Sequence, residues 1–225
     1  PVLSTADYRA HLAEDPSTIS DPTTSLEDLA DAVVAAGVTS VDTLHGDDTR
    51  QDSARTVDGW DPSYPDQGVI GPLSALTVND GYMEWGQLDV GAPDPVAYAT
   101  DELARLLEDR GVSVESTTGT DAAPDDSEPI ASVDSAPLND LVAGMVRSSD
   151  NQSAEILTRE LGVESGEGST ARGLEASAGA LNDLGIDTRR SLSDGSGLNR
   201  ENRVACNAFI DALQPRDATA AVREG

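Results

Sequence analysis

A hydroxyl, a carboxylate and a carboxamide stand side by side at Ser149-Asp150-Asn151. Before the triplet, Leu138, Leu141, Val142, Met145 and Val146 recur at i, i+3, i+4, i+7 and i+8, the period of a buried helix face. After it come Ala154, Ile156, Leu157 and Leu161, and then Gly162, which reads as a helix stop. The spacing predicts helices over 138–148 and 151–161 joined by a short polar turn. Such a junction holds a hydroxyl and a carboxamide on a rigid support, as a catalytic site requires, and the pair can orient a substrate. A plainer use is open to the same residues: Ser149 and Asn151 can cap the following helix. The two uses are compatible.

A second stretch with chemical potential is Ser193-Asp194-Gly195-Ser196-Gly197-Leu198-Asn199. Two glycines bracketing a serine permit backbone conformations closed to other residues. Read alone, this is a loop with Asn199 as a helix cap. The spacing Gly-Ser-Gly differs from that of a Gly-x-Ser-x-Gly nucleophile elbow. Cys206 is the single cysteine, so no intrachain disulfide forms. Its neighbours Val204, Ala205, Ala208 and Phe209 predict a buried structural thiol. His11 and His45 lie far apart, without ligand spacing, and read as surface or loop residues. The pattern calls for no metal and no cofactor.

Helix-then-strand units come first in the chain. Ser25 caps a helix with Leu26, Leu29, Ala30, Val33 and Val34 on one face and Gly37 at its end, and Val38–Leu44 follows as a strand. Residues 49–72 have no period and read as a long ordered loop, with Trp60 plugging a core edge. Ile70–Val78 is predicted as a strand, Asn79-Asp80-Gly81 as a hairpin turn and Tyr82–Leu88 as the return strand. Asp94 and Pro95 open a helix lined by Val96, Leu103, Leu106 and Leu107, which Gly111 ends before a strand over Val112–Ser116. Residues 117–128 read as a linker and Ile130 to Val133 as one more strand. Further helices are expected near 169–184, stopped by Gly185, and near 202–213.

Composition narrows the partners. The 225 residues carry a formal charge of −28, with 42 acidic against 14 basic residues, and every basic residue is arginine. A surface so acidic has no basic patch for nucleic acid or an anionic membrane. It fits a saline habitat or a high-GC genome. With 37% hydrophobic and 3% aromatic residues, the core must be built from Ala, Val and Leu. No apolar run reaches the 18 or so residues of a membrane span.

Taken together, Ser149-Asp150-Asn151 with Ala154-Glu155, and Asp194-Gly195-Ser196-Gly197-Leu198 with Arg200-Glu201-Asn202, resemble two motifs of the D-alanyl-D-alanine carboxypeptidase/endopeptidases. These are low-molecular-mass penicillin-binding proteins with a large insert. Pro72–Asn79 resembles a segment of that insert, as does Pro1-Val2-Leu3-Ser4, and the order of the pieces is the family's. Asn199 departs from the serine usual after Gly-Leu. The family's Ser-x-x-Lys would precede Pro1 and its Lys-Thr-Gly would follow Gly225; a chain without lysine holds neither.

The resemblance implies an α+β fold: the helical part of a β-lactamase/transpeptidase-like domain (129–225) and a mixed α/β insert (1–128). It implies a serine peptidase that trims peptidoglycan stem peptides through an acyl-enzyme and is acylated by β-lactams, in an extracytoplasmic location. Ser149 would relay a proton to the leaving amine, and Asn151 would bind substrate backbone and the catalytic lysine. Asp150 would brace the turn, and Asp194, Gly195, Ser196 and Gly197 would bind or support substrate. With no initiator methionine or signal-like start, the chain is expected to be an inactive internal piece. A β-lactamase or esterase on the same framework and a non-catalytic acidic cell-surface module are the rivals.

Overall fold

Val2–Ser4 (β1) and Thr23–Ser25 (β2) pair in parallel around the helix Ala6–Leu12 (α1). The computed structural model describes residues 2–14, 22–86, 89–186 and 190–213. Ser25 then starts Leu26–Ala35 (α2) as expected, its hydroxyl accepting from the Asp28 amide at 3.1 Å. Next come Ser40–Gly46 (β3), Tyr82–Glu84 (β4), Val90–Gly91 (β5), Pro95–Glu108 (α3) and Ser113–Thr120 (β6). Asp94 caps α3 by accepting from the Val96 and Ala97 amides, and Pro95 sits where no donor is needed.

Strands β3 and β6 run parallel, from Ser40 beside Ser113 to Gly46 beside Thr120. Helix α3 covers them, and α2 packs against α3, with small and medium side chains. Leu26, Ala30, Val78, Ala99, Leu106, Leu107 and Val112 form the buried cluster, as an aromatic-poor composition requires.

The second half is helical: Leu138–Ser148 (α4), Asn151–Glu164 (α5) and Thr170–Asp183 (α6). Arg190–Ser191 (β7) pairs antiparallel with Arg203–Val204 (β8), and Cys206–Leu213 (α7) follows. The fold is α+β, with four two-stranded sheets among the described residues. No helix among those residues is long and apolar enough to cross a membrane.

Several local expectations need correction. Residues 70–78 make no strand; only Val78 bridges to Leu3. Pro72 has no amide proton to give a ladder, and Leu73 exchanges backbone and side-chain hydrogen bonds with Arg55 instead. The turn at Asn79 and Asp80 is left-handed, with φ of 54° and 53°, and β4 pairs with β5 rather than backwards. β6 runs on through Thr120 into the expected linker, because β-branched threonines suit the pairing with β3. Ile130 to Val133 is no strand, and Ile130 is exposed.

Cys206 is exposed, not buried, since nothing described covers the apolar face of α7. α5 does not stop at Gly162. A side chain there would lie 2.5 Å from the Glu167 carbonyl and 2.8 Å from that of Ser169, so this glycine lets α6 come close.

The largest departure concerns which face of α5 is inside. Gln152, Glu155, Arg159 and Gly162 are its buried residues, whereas Leu161 is exposed and Ile156 and Leu157 are half-buried. On α4, Leu138 and Val146 are likewise exposed. The buried stripe of α5 is polar because each of its long side chains finds a partner on another segment.

Candidate active site

The turn between α4 and α5 is built by Ser149 and Asp150. Ser149 takes a left-handed conformation (φ 58°, ψ 43°) that ends α4, and its amide donates to the Met145 carbonyl. Asp150 then caps α5, its Oδ1 accepting from the Ser153 amide at 3.0 Å. Capping therefore falls to Asp150, and the exposed Ser149 hydroxyl takes no part in it. Asn151, the first residue of α5, donates through Nδ2 to the Val69 carbonyl at 2.9 Å.

Ser149, Asp150 and Asn151 line one open cavity of about 350 Å³. Its other walls include Leu141 and Met145 from α4, and Tyr8, Asp80 and Tyr82 from the first half of the chain. The Tyr8 hydroxyl donates to Asp80 at 2.8 Å, and Trp85 meets the Tyr8 ring edge-on with 5.0 Å between centroids. Burial, reinforced by the Asp80 carboxylate, pushes the Tyr8 phenol far above its ordinary range. Burial and the nearby Asp89 and Asp80 do the same to Tyr82. Both phenols keep their protons, so this wall offers neutral hydroxyls.

The glycine-rich loop is organised around a carboxylate. Asp194, 2% exposed, accepts from Trp60 Nε1 (2.8 Å), the Gly197 amide (3.0 Å), the Asn199 amide (2.5 Å) and Asn202 Nδ2 (2.6 Å). Trp60, half-buried, thus ties residues 49–72 to this loop. Asn199 caps no helix: Nδ2 donates to the Asp58 carbonyl and Oδ1 accepts from the Glu201 amide within a turn. α7 begins only at Cys206. Asp194, Gly195, Ser196 and Gly197 are not among the residues that line the cavity of Ser149 and Asn151. The structure gathers the first triplet into one groove and places the loop one layer behind it.

Two further buried charged residues of that layer were not singled out as site residues in the sequence. Glu155 is fully buried, and its Oε1 accepts from the amides of Gly195 (2.9 Å) and Ser196 (2.8 Å). Burial pushes its carboxyl up; the Ser196 hydroxyl and amide pull it down without prevailing, and Asp194 adds to the rise. Arg159, 1% exposed, lies one turn further on. Its Nη1 is 3.1 Å from Asp52, and its Nε donates to Thr170 at 3.3 Å. Burial works against its charge, and Asp52 and Glu155 support it. The signal was an acid and a base four residues apart, which ordinarily marks a solvated helix face.

The groove offers a hydroxyl, a carboxamide and neutral phenols, all suited to holding and orienting a peptide. No lysine exists in the chain to act as a base. Among the described residues, no His, Cys, Asp or Glu group is placed to hold a metal ion.

A solved structure of penicillin binding protein 4 (dacB) from Haemophilus influenzae shares the fold. The TM-score is 0.68 over 82% of this chain and 56% of that one, at 20% identity. The helices and small sheets of this chain thus follow the fold of that structure. The sequence places the chain more closely: it belongs to the D-Ala-D-Ala carboxypeptidase 3 (S13) family, which it matches over residues 84–222.

Among curated proteins it is similar to the D-alanyl-D-alanine carboxypeptidase of Actinomadura sp. (strain R39), 29% identical over 270 residues. That match takes in 86% of this chain and 50% of the relative. It is also similar to carboxypeptidase DacB of Mycolicibacterium smegmatis, 32% identical over 80% of this chain and 39% of that protein. The chain spans half or less of the length of these relatives.

Proposed function

We propose that this chain forms part of an extracytoplasmic serine-type D-alanyl-D-alanine carboxypeptidase/endopeptidase that acts on peptidoglycan stem peptides through an acyl-enzyme. One observation carries the reading: Asp150 does the capping, which leaves Ser149 and Asn151 to present a hydroxyl and a carboxamide to the same groove. Family membership supports it.

In this scheme Asn151 exchanges Val69 for the backbone of the substrate, and Ser149 passes a proton to the leaving amine. Asp194, Gly195, Ser196 and Gly197 support the groove from behind. Residues 1–128 act as an insert and 129–225 as the helical wall of the catalytic unit. The nucleophile and its base are a serine and a lysine, and the lysine is supplied from outside these 225 residues, which contain none.

Labelling with a fluorescent penicillin tests the scheme. The 225-residue chain is expected to stay unlabelled, because catalytic groups that act as a unit give little activity in part. The full gene product is expected to label. There, Ser149→Ala or Asn151→Ala should slow acylation or deacylation roughly 10²-fold or more. Labelling of the 225-residue chain itself would mean that the nucleophile lies within it. An unaffected Asn151→Ala protein would reduce the triplet to a helix turn.

A further inference from the structure

One buried carboxylate joins the groove to the glycine-rich loop. Asn151 and Glu155 are four residues apart on α5, on one side and about one turn from each other, about 6 Å along the axis. Glu155 Oε1 takes two consecutive loop amides, Gly195 at 2.9 Å and Ser196 at 2.8 Å. The loop also presses directly on α5. A side chain at Gly195 would lie 2.9 Å from Thr158 Cβ and 3.0 Å from the Ala154 carbonyl, so the backbone can approach only because the residue is glycine. Behind the loop, Asp194 holds Trp60, and Asn199 holds the Asp58 carbonyl. The same long loop of residues 49–72 returns to Asn151 at Val69. Residues 58–69, 151–155 and 194–199 therefore close a ring of contacts, and Glu155 is the link between its two functional motifs.

We propose that Glu155 is a positioning residue: by accepting from the Gly195 and Ser196 amides, it fixes the glycine-rich loop against the helix that presents Asn151. The claim rests on the peptidase reading for its purpose and on geometry for its existence. A carboxylate is not required for the task; an acceptor oxygen at that height is. Glutamine supplies one at the same reach. Aspartate keeps the charge but withdraws the oxygen by about 1.5 Å, one methylene, beyond hydrogen-bond distance of both amides.

Amide hydrogen exchange on the 225-residue chain reads this directly. In Glu155→Gln, protection of the Gly195 and Ser196 amides is expected to stay within about threefold of the parent. In Glu155→Asp it should fall roughly tenfold or more at those two amides, while the α2–α3 core keeps its protection. If Glu155→Asp leaves the two amides protected, or lowers protection evenly throughout, the residue is not a positioning link. Loss in Glu155→Gln equal to that in Glu155→Asp would also overturn the proposal. Exchange needs no substrate and no nucleophile. Its failure is therefore separate from a failure of penicillin labelling in the Ser149 and Asn151 variants, which bears on the peptidase reading alone.

Discussion

Glu155 is ionised in water at neutral pH, and the fold shifts it toward the neutral form. Its folded pKa lies above the unfolded one, because burial outweighs the donors around it. The sign follows from linkage. A raised acid contributes stability that is complete below its unfolded pKa of about 4.3 and is lost as pH rises through the folded value. Glu155→Gln removes that penalty and retains the acceptor. The variant's melting temperature relative to the parent is therefore expected to become more favourable from about pH 4, near the unfolded pKa, to pH 8. A constant difference across that range would show that the ionisation of Glu155 carries no cost. Asp194 differs from Glu155 in having four donors around its two oxygens.

At the scale of elements, α5 and α6 meet through glycine. A side chain at Gly173 would run into the Thr158 carbonyl, and one at Gly162 would meet two carbonyls of the connecting turn. Gly173→Ala is expected to force the helices apart and lower stability by about 1–3 kcal/mol, measured by denaturant unfolding. Gly179→Ala, on the same helix with open space around it, should be neutral or stabilising.

These two helices also show how far sequence carries. Caps were legible: Ser25 and Asp94 stand where short polar side chains precede an apolar period, a local signal with a local cause. The existence of α4, α5 and α6 was legible for the same reason, and so was the Ser149–Asn151 turn. The buried face of α5 was not. Periodicity assumes that apolar residues go inside, and here Gln152, Glu155 and Arg159 are each held by residues 11 to 107 positions away. The hairpin after Ile70 was misread likewise, because Arg55 competes for Leu73 across 18 residues. Long-range partners leave no local period.

Over the whole molecule, charge dominates. With 42 acidic and 14 basic residues, the compact state works against its own repulsion at low ionic strength. Ion pairs such as Arg50 with Glu160 and Arg9 with Glu27 offset only a little of it, since exposed pairs contribute up to about 1 kcal/mol. The melting temperature is expected to climb from low salt to about 1 M, where the Debye length is ~3 Å. A flat or falling curve would show that the acidity is carried without cost, as genome bias alone would leave it.

The polar inner face of α5 has a consequence for the order in which the molecule comes together. A helix that buries apolar side chains can dock early, on any oily surface that collapse provides. α5 cannot, because Glu155 and Arg159 are costly to enclose until their own partners are in place. Asn151 waits for Val69, 82 positions earlier; Glu155 waits for amides 40 positions later; Trp60 and Asp194 close a span of 134. Closing such spans loses chain entropy before any contact repays it, which slows folding. The βα core of α2, α3, β3 and β6 can consolidate on apolar contacts, and the groove that holds Ser149 and Asn151 is expected to take its shape after it.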